Sequence, residues 1–363
     1  MALASPITTH FVLGSELIGQ ETIERGHINQ TYMSVVQKDG EIGRYIYQHI
    51  NKSVFPDPPR MMDNIKAVLD HIHAKRGTAA DCLELVANAD GSYYFKDEDG
   101  EFWRCYRYIE DTSSYDIVPN PEVAYQAALA FGSFLNEISD LPTDGFHITI
   151  PDFHNTEFRL RQLDSALANP VAGRLETAAA EIDFVNRHRE LGSRLMHVVE
   201  NYPEAVRIVH NDTKVNNVLF CGDGKVGKAV IDLDTVMPGT ILFDIGDLIR
   251  TACNAAAEDE TDLSKVIFNK DHFAAIIRGF AESTGPSIHP AEWDAMPYSG
   301  AVITMTVGIR FLTDFLNGDT YFRTHRKNQN LDRCRTQFEL VRQMLDSADE
   351  LERIVMAERD RLA

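Results

Sequence analysis

Residues 208–232 read IVHNDTKVNNVLFCGDGKVGKAVID, and this stretch carries the most informative pattern in the sequence. His210, Asp212 and Asn217 follow one another closely, an apolar β-like run comes next, and glycines separate it from a second β-like run that leads to Asp232. Paired strands lie about 5 Å apart, so a hairpin over these runs brings Asn217 and Asp232 side by side. Asp212 lies on the loop that leads into the hairpin. The stretch therefore predicts two carboxylates and an amide oxygen converging on one point.

The glycines of this stretch, Gly222, Gly224 and Gly227, also match the G-x-G-x-x-G pattern of dinucleotide-binding proteins. That pattern requires a strand before it and a helix after it. The residues that follow, KAVIDL at 228–233, are rich in β-branched side chains and typical of a strand. We therefore interpret the glycines as a hairpin turn.

The converging oxygens suit phosphoryl transfer. Mg²⁺ prefers hard oxygen ligands and is commonly bound through one or two carboxylates together with substrate phosphates. Asn217 and Asp232 would supply such ligands, while Asp212 would accept a proton from the attacking hydroxyl. Each residue taken singly also has a structural interpretation, as a turn cap, a loop amide or a strand end. The three together at this spacing favour the catalytic interpretation.

The predicted secondary structure changes from mainly strands to mainly helices near residue 110. Before that point, the pattern predicts two hairpins and one helix: 31–36 with 45–50, 93–95 with 102–109, and a helix after Pro58-Pro59. After it, helical periodicity dominates, in a helix that starts at Asn120-Pro121 and in segments around 155–168, 174–200, 271–283, 298–316 and 331–358. We therefore predict an α+β fold with an antiparallel-sheet, nucleotide-binding N-terminal lobe over residues 1–110 and a mainly helical C-terminal lobe over residues 111–363, which carries the catalytic loop and the acceptor site.

Composition narrows the class of protein. The chain has 363 residues, with 55 Asp and Glu against 35 Lys and Arg, for a formal net charge of −20. A field of that sign repels phosphate backbones and anionic lipids, so we expect no nucleic-acid and no membrane partner. The five cysteines form no CxxC pair, and the N-terminus has no signal-peptide pattern. The longest uncharged apolar stretch, Ala295 to Ile309, is shorter than the about 20 residues that span a bilayer. We therefore expect a cytoplasmic protein with reduced thiols.

HNDTKVNNVLF at 210–220, followed by VIDLD at 230–234, resembles the catalytic loop and metal-binding segment of the aminoglycoside phosphotransferase and choline kinase superfamily, whose members are relatives of the protein kinases. Further stretches resemble its N-acetylhexosamine 1-kinase branch, which phosphorylates the anomeric hydroxyl of N-acetylglucosamine or N-acetylgalactosamine. These stretches are GHINQTY (26–32), YIYQHINKSVF (45–55), WRCYRYIED (103–111), FDIGDLIRTACNAAAEDE (243–260) and LNGDTYF (316–322). The resemblance covers most of the chain and implies a two-lobed protein-kinase-like fold.

The resemblance also implies roles for individual residues. Asp212 would be the catalytic base and His210 the residue that organises its loop, with Asn217 and Asp232 as ligands of the Mg²⁺ ion that accompanies ATP. The nucleotide contacts would come from the turn over the phosphates, the third strand and the backbone of the adenine-binding hinge: Gly26, His27, Asn29, Thr31, Gln48, Arg107 and Ile109.

A DxxD pair follows the catalytic segment. By the same resemblance, Asp244 and Asp247 would brace the catalytic loop. The pair is also typical of a helix N-cap followed by an acidic first turn, and the two interpretations are compatible.

Two positions depart from the family pattern. The lysine or arginine that usually binds the nucleotide from the third strand is not evident, since its place falls near Gln48 or His49, with Lys52 and Arg44 nearby. If no basic residue fills that role, Mg²⁺ and loop amides must balance the phosphate charge. Thr251 stands where we expect an aromatic residue that shapes the sugar pocket.

Arg310 is the main candidate for acceptor recognition. It interrupts the nearly all-apolar segment 301–315, where a buried charge is costly unless it is paired or binds a ligand. The resemblance puts it in the sugar site, and the alternative is a buried ion pair with Asp314 at i+4. His154 and Tyr321 are further acceptor candidates, together with Thr251, although each could instead serve packing or lie on the surface.

These features predict an ATP- and Mg²⁺-dependent small-molecule kinase. Its predicted acceptor is a neutral or N-acetylated sugar. A protein kinase is disfavoured because Asp232 is followed by Leu-Asp rather than Phe-Gly and no Ala-Pro-Glu segment follows. Two alternatives stay open: an aminoglycoside or choline-like phosphotransferase, whose cationic acceptor an acidic chain would attract, and a non-catalytic nucleotide-binding scaffold.

Overall fold

The N-terminal part of the chain forms one antiparallel sheet. The computed structural model describes residues 5–23, 28–77, 82–170, 173–222 and 226–362. The strands are β1 (Glu16–Ile23), β2 (Gln30–Lys38), β3 (Glu41–His49), β4 (Phe95–Lys96) and β5 (Phe102–Arg107). Their order in the sheet is β1-β2-β3-β5-β4. Both predicted hairpins are therefore confirmed, and β1 adds an edge strand that the sequence pattern did not reveal.

The two faces of this sheet have different surroundings. On one face, residues such as Tyr47 pack with Phe11 of the short helix α1 (Ser5–Phe11) in a small apolar core. Side chains alternate between the faces of a strand, so Gln48 lies on the other face. Arg104 on β5 is its direct partner in register and lies on that same face. The face that is turned away from α1 therefore carries Gln48 and Arg104 among apolar residues of the main core, such as Ile46 and Tyr106.

Helix α2 (Pro58–Arg76) ties the sheet to the rest of the molecule. It begins after Asp57, whose carboxylate accepts a hydrogen bond from the helix backbone, and the apolar positions of its inner face are buried: Met61, Ile65, Val68, Leu69 and Ile72. The side-chain amide of Asn64 donates to the carbonyls of His147 (2.8 Å) and Val236 (2.9 Å). The helix is thus anchored on the segment that follows the predicted metal ligand.

The C-terminal part is mainly helical. Its helices are α3 (Pro121–Glu137), α4 (Thr156–Ala168), α5 (Ala179–His188), α6 (Ser193–Asn201), α7 (Ile241–Ala252), α8 (Lys270–Thr284), α9 (Pro290–Leu316), α10 (Gln329–Asp346) and α11 (Ala348–Leu362). The predicted start of α3 is confirmed, because the Asn120 side chain caps it and Pro121 is its first residue. The α+β layout is therefore confirmed, whereas a lobe boundary at residue 110, between β5 and α3, stays a prediction.

Two predicted helices are each divided in two. The segment 174–200 contains α5 and α6, joined by a tight turn at Gly192, where a Cβ atom would lie 2.7 Å from the side chain of Thr156. The segment 331–358 contains α10 and α11, which are separated at Ser347. Helical periodicity continues across both junctions, so the breaks depend on close packing rather than on a pattern in the sequence.

Helix α9 is longer than predicted. It begins at Pro290 after a capping box between His289 and Glu292, and it continues through Pro297, whereas the predicted segment started only near residue 298. Packing against α4, α7 and α10 outweighs the hydrogen bond that Pro297 removes. By length and composition α9 could cross a bilayer, but 83% of its most apolar window is buried inside the fold. It therefore serves as the central core helix.

Two small antiparallel strand pairs carry the catalytic stretch. Strand β6 (Arg207–Val209) pairs with β9 (Met237–Gly239), and β7 (Val218–Cys221) pairs with β8 (Val226–Val230). The glycine-rich segment is followed by a strand and not by a helix, so the hairpin interpretation of the G-x-G-x-x-G match is confirmed. The β6–β9 pair was not predicted, because each of its strands has only three residues.

Candidate functional site

Asp244 holds the start of the catalytic loop. Its carboxylate accepts hydrogen bonds from the backbone N–H groups of His210 (2.9 Å) and Asn211 (2.6 Å). Asn211 has a positive φ of 65°, and its side-chain amide donates to the carbonyl of Thr235 at 3.1 Å, which fixes the bend from its other side. Burial raises the pKa of Asp244 to about 7, while the two N–H groups act in the opposite direction. The N-cap of α7 is Thr240 and not Asp244, but Asp244 does lie in the acidic first turn of the helix.

His210 links the catalytic loop to the end of β8. Its Nε2–H donates to the carbonyl of Ile231 at 2.9 Å, and its Nδ1 accepts from the backbone N–H of Asp212 at 3.2 Å. The rings of Phe131 and Phe134 pack edge-on against it. Burial lowers the pKa of His210, so the imidazole stays neutral and positions the loop rather than carrying charge.

Asp212 is held by two side chains of its own loop. The Lys214 ammonium lies 2.9 Å and 3.0 Å from the two carboxylate oxygens. The side-chain amide of Asn217 donates to the Asp212 carbonyl at 2.8 Å and to its carboxylate at 3.2 Å. Burial acts to raise the pKa of Asp212, but Lys214 outweighs it and the net direction is downward. The carboxylate is therefore ionised and oriented near neutral pH.

The hairpin brings Asn217 and Asp232 together as predicted. The N–H of Ile231, the neighbour of Asp232, donates to the Asn217 carbonyl at 2.9 Å. Because the Asn217 amide nitrogen is engaged with Asp212, its side-chain oxygen is left to accept or to bind a cation.

The Asp232 carboxylate is unpaired within the described part of the chain. Asp232 has left-handed backbone angles (φ 63°, ψ 59°), and no hydrogen bond or ion pair to its side chain is formed by the residues that the structure describes. Burial, followed by the charges of Asp234 and Asp212, raises its pKa to about 7. A carboxylate in this position is destabilised until a cation approaches. Together with the amide oxygen of Asn217, it fits the hard-oxygen donor set that Mg²⁺ prefers.

The face of the sheet that is turned away from α1 contributes a polar network centred on Arg104. Its guanidinium forms an ion pair with Asp234 and donates from Nε to the Gln48 side chain at 2.9 Å. Gln48 in turn donates to the Thr31 hydroxyl at 3.1 Å. Asn29 donates to the same aspartate at 2.7 Å. Arg104 and Asp234 were not singled out from the sequence, although WRCYRY and VIDLD, which contain them, were.

The remaining nucleotide candidates are described in part. Gly26 and His27 lie outside the described residues. Asn29 uses both ends of its side chain within the protein, since its oxygen accepts from the Asn51 N–H at 3.0 Å.

In the hinge, the Arg107 side chain forms an exposed ion pair with Glu84, and the Arg107 N–H donates to the Glu84 carbonyl at 2.9 Å. The Ile109 carbonyl accepts from the Thr112 hydroxyl at 2.8 Å. Several hinge groups therefore already have partners inside the chain, and the nucleotide roles of these residues stay predictions.

Arg310 does not pair with Asp314. Both Asp314 oxygens accept from the loop after α9, including the N–H groups of Tyr321 (2.8 Å) and Phe322 (2.9 Å). The Arg310 guanidinium lies instead 5.5–5.9 Å from the centres of the Phe153, Tyr321 and Phe322 rings. No carboxylate of the described residues forms an ion pair with it. The i,i+4 alternative is therefore wrong, and burial lowers the pKa of Arg310 against the opposing effect of its interaction with Tyr321.

The other acceptor candidates differ in their burial and in their hydrogen-bond partners. His154 is buried, and its Nε2–H donates to the Asn211 carbonyl at 2.8 Å, so it supports the catalytic loop. The Thr251 hydroxyl donates back to the Asp247 carbonyl of its own helix at 3.0 Å. Tyr321 is 65% exposed beside Arg310.

Two arginines of this region were missed by the sequence analysis. Arg250 on α7 forms an ion pair with Asp247 at 2.8 Å, and its charge helps to lower the pKa of Asp212. Arg159 on α4 has a buried Nε without a hydrogen-bond partner in the described chain. Burial and the charge of Arg310 lower the Arg159 pKa to about 10. Arg250 lies in the stretch 243–260 that carries the resemblance but was not singled out there, and Arg159 lies in no such stretch.

The site thus combines an ionised and oriented carboxylate, an oxygen pair suited to a divalent cation, and a group of partly buried arginines. Such a set is compatible with transfer of a phosphoryl group to a hydroxyl.

Comparison with known proteins agrees with this arrangement. Residues 19–266 match the model of the phosphotransferase enzyme family, APH. The fold is similar to that of an aminoglycoside phosphotransferase from Alicyclobacillus acidocaldarius, with a TM-score of 0.61, 13% identity, and coverage of 100% of this chain and 97% of that one. A microcompartment-associated aminopropanol kinase gives a TM-score of 0.65 at 14% identity, covering 96% of this chain and 98% of that one. A choline kinase from Cryptosporidium parvum gives a TM-score of 0.54 at 14% identity, covering 93% of this chain and 90% of that one. These likenesses confirm the kinase-like α+β fold.

Proposed function

Because the chain belongs to the phosphotransferase enzyme family, whose model matches more than half of it, we propose that it is an ATP-dependent kinase that phosphorylates the anomeric hydroxyl of an N-acetylhexosamine or a related sugar. The observation that carries the acceptor class is Arg310, a guanidinium without a carboxylate partner in the described chain. We expect the enzyme to act in the cytoplasm, as its free cysteines suggest.

In this proposal Asp212 is the catalytic base. The acceptor hydroxyl approaches its carboxylate, which Lys214 and Asn217 hold in place. Because the pKa of Asp212 is lowered, the group is ionised and ready to accept the hydroxyl proton as the phosphoryl group is transferred. His210 and Asp244 keep the loop in this shape.

Asn217 and Asp232 would hold Mg²⁺. When bound, the ion would offset the negative charge of the donor phosphates. The support for this assignment is the unpartnered Asp232 carboxylate and the free side-chain oxygen of Asn217.

The electrostatics of the acceptor side favour a neutral acceptor over a cationic one. Arg310 and Arg159 lie close enough for each charge to act on the other, and neither has a carboxylate partner in the described chain. Guanidinium groups donate several hydrogen bonds to hydroxyls or to an acetamide carbonyl, whereas they repel an ammonium group. A sugar therefore suits these two arginines better than an aminoglycoside or choline, even though the whole chain is acidic.

A cationic acceptor is nevertheless the second candidate, because the similar solved structures include kinases of aminoglycosides, choline and aminopropanol. A non-catalytic scaffold is the third. The oriented Asp212 argues against it, since a protein that only binds nucleotide needs no base.

The deciding experiment measures ATP consumption over a panel of acceptors, with the phosphorylated product examined by phosphorus NMR. The panel contains N-acetylglucosamine, N-acetylgalactosamine, other free sugars, kanamycin and choline. We expect an anomeric phosphate from an N-acetylated sugar. Turnover of kanamycin or choline without turnover of any sugar would contradict the acceptor class. Mg-ATP binding without turnover of any acceptor would support the scaffold instead.

A further inference from the structure

Arg104 is the most deeply buried charged residue of the sheet. The residue is 0% exposed, and its Nη2 is buried without a hydrogen-bond partner in the described chain. Its Nη1 forms the ion pair with Asp234, and its Nε donates to Gln48. A buried arginine is costly unless its partners are well placed, so this pair must hold a defined position.

Arg104 lies close to the position at which protein kinases carry a lysine on the third strand. In protein kinases, a lysine on the third strand pairs with a glutamate of the helix that follows it, and both must be in place for phosphoryl transfer. Here the third strand carries Gln48, and Arg104 lies directly across from it in register on β5. The basic group is therefore displaced by one strand within the sheet.

The acidic partner is displaced as well. Helix α2 carries two carboxylates, Asp63 and Asp70, and both are exposed. The group of α2 that meets Arg104 is the Met62 sulfur, 4.0 Å from Nη1. The carboxylate comes instead from Asp234, two residues after the metal candidate Asp232. The ion pair thus joins the sheet to the metal-binding segment and not to α2.

Asp234 extends this connection to the start of β2. Its second oxygen accepts from the Asn29 side chain at 2.7 Å, and Asn29 in turn accepts from the Asn51 N–H at 3.0 Å. One aspartate therefore holds β5, the segment after Asp232 and the chain that enters β2.

We propose that Arg104 is the positioning residue that replaces the third-strand lysine of kinases in this protein, and that its ion pair with Asp234 sets the position of the Mg²⁺-nucleotide site. The inference rests on the proposed function in one respect, that this cleft binds a magnesium nucleotide. Loss of Arg104 would both release Asp234 and remove positive charge beside the metal candidate.

The test compares Mg-ADP binding of full-length variants by calorimetry, which needs no acceptor. Arg104→Gln should weaken binding by about tenfold or more. Lys52→Gln is the matched control, because Lys52 lies just beyond the third strand and forms a half-exposed ion pair with Glu101. It should bind Mg-ADP as the wild type does. The reverse result, with Lys52→Gln weakened and Arg104→Gln unchanged, would overturn the proposal.

A second pair of variants separates positioning from general stability. The double variant Gln48→Lys/Arg104→Gln returns the cation to the third strand, and it should regain most of the lost affinity. Arg104→Gln/Asp234→Asn leaves no unpaired buried charge, so it should fold even if the single variant does not, yet it should still bind Mg-ADP weakly. Affinity equal to that of the wild type in this double variant would refute the role of the pair.

The outcome for the wild type distinguishes the two proposals. A wild-type chain that fails to bind Mg-ADP contradicts the proposed function. A wild-type chain that binds it, together with variants at Arg104 that bind equally well, contradicts only the present inference.

Discussion

The ammonium of Lys214 lies 2.9 Å and 3.0 Å from the two carboxylate oxygens of Asp212. Asp212 is therefore a carboxylate with a counter-charge on its own loop. Burial by itself would raise the pKa of this carboxyl, and Lys214 is the largest influence that lowers it. The relationship explains how a buried carboxylate stays ionised before any substrate is present.

Replacement of Lys214 by methionine should move the acid limb of the pH–rate profile to higher pH. Lys214 lowers the pKa of Asp212, so its loss raises that pKa, and the ionised form that accepts the proton then appears only at higher pH. The measurement is kcat/KM from pH 5 to pH 9. Lys66→Met, which removes an exposed partner of Asp70 on α2, should leave the profile in place. An unmoved or lowered acid limb in Lys214→Met would contradict the assignment.

Asp212→Asn should reduce kcat by about 10² to 10⁴-fold while the affinity for Mg-ADP changes little. The substitution keeps the shape of the side chain and removes its ability to accept a proton. Steady-state kinetics and calorimetry on the same preparation test both parts. Asp183→Asn on the exposed face of α5 is the control, since its carboxylate only pairs with Arg187 at the surface. Turnover near the wild-type rate would remove Asp212 from the catalytic role.

Asp232→Asn should instead weaken the use of Mg-ATP, and added Mg²⁺ should partly restore the rate. An amide oxygen is a poorer ligand than a carboxylate, but it still binds the ion. Rates measured over a Mg²⁺ titration distinguish this variant from Asp212→Asn, which should not respond to the metal. The same defect with the same metal response in both variants would show that the division of roles is wrong.

Arg310→Gln should raise the KM for the sugar by about tenfold and the KM for ATP much less. Loss of hydrogen bonds from a charged donor costs about 1.5–3 kcal/mol, and only the acceptor would lose them. The control is Arg342→Gln, an exposed arginine of α10 that pairs with Glu339 and Asp346. Equal increases in both KM values would indicate that Arg310 supports the fold and not the acceptor.

Gly246→Ala should lower the free energy of unfolding by about 1–3 kcal/mol. A Cβ atom there would lie 2.6 Å from the Ser299 carbonyl oxygen and 2.6 Å from the Ile303 side chain, so α7 would have to move away from α9. Thermal or urea unfolding measures the change. Gly19→Ala is the comparison, because its Cβ would make only an ordinary contact, 3.7 Å from Val35. Equal effects of the two substitutions would contradict the packing argument.

The convergence of Asp212, Asn217 and Asp232 could be predicted from the sequence because it depends on local structure. A hairpin with a short turn brings its two ends together whatever the rest of the chain does. The same holds for the cap of α3 at Asn120, where the signal and its structure are adjacent. Helix breaks at Gly192 and continuity through Pro297 could not be predicted, since neighbouring helices decide both.

The sequence by itself therefore determined the α+β layout, the catalytic hairpin and the candidates for base and metal ligands, because these depend on periodicity and on contacts between near neighbours. The partners of the charged residues were decided only by the tertiary structure. Arg104 meets Asp234 across 130 positions of chain, and Arg310 lacks the neighbour that helical spacing offered because Asp314 is already used by the loop after α9. The partner of a buried charge depends on which residues the packed fold brings next to it. Spacing along the chain does not predict that partner.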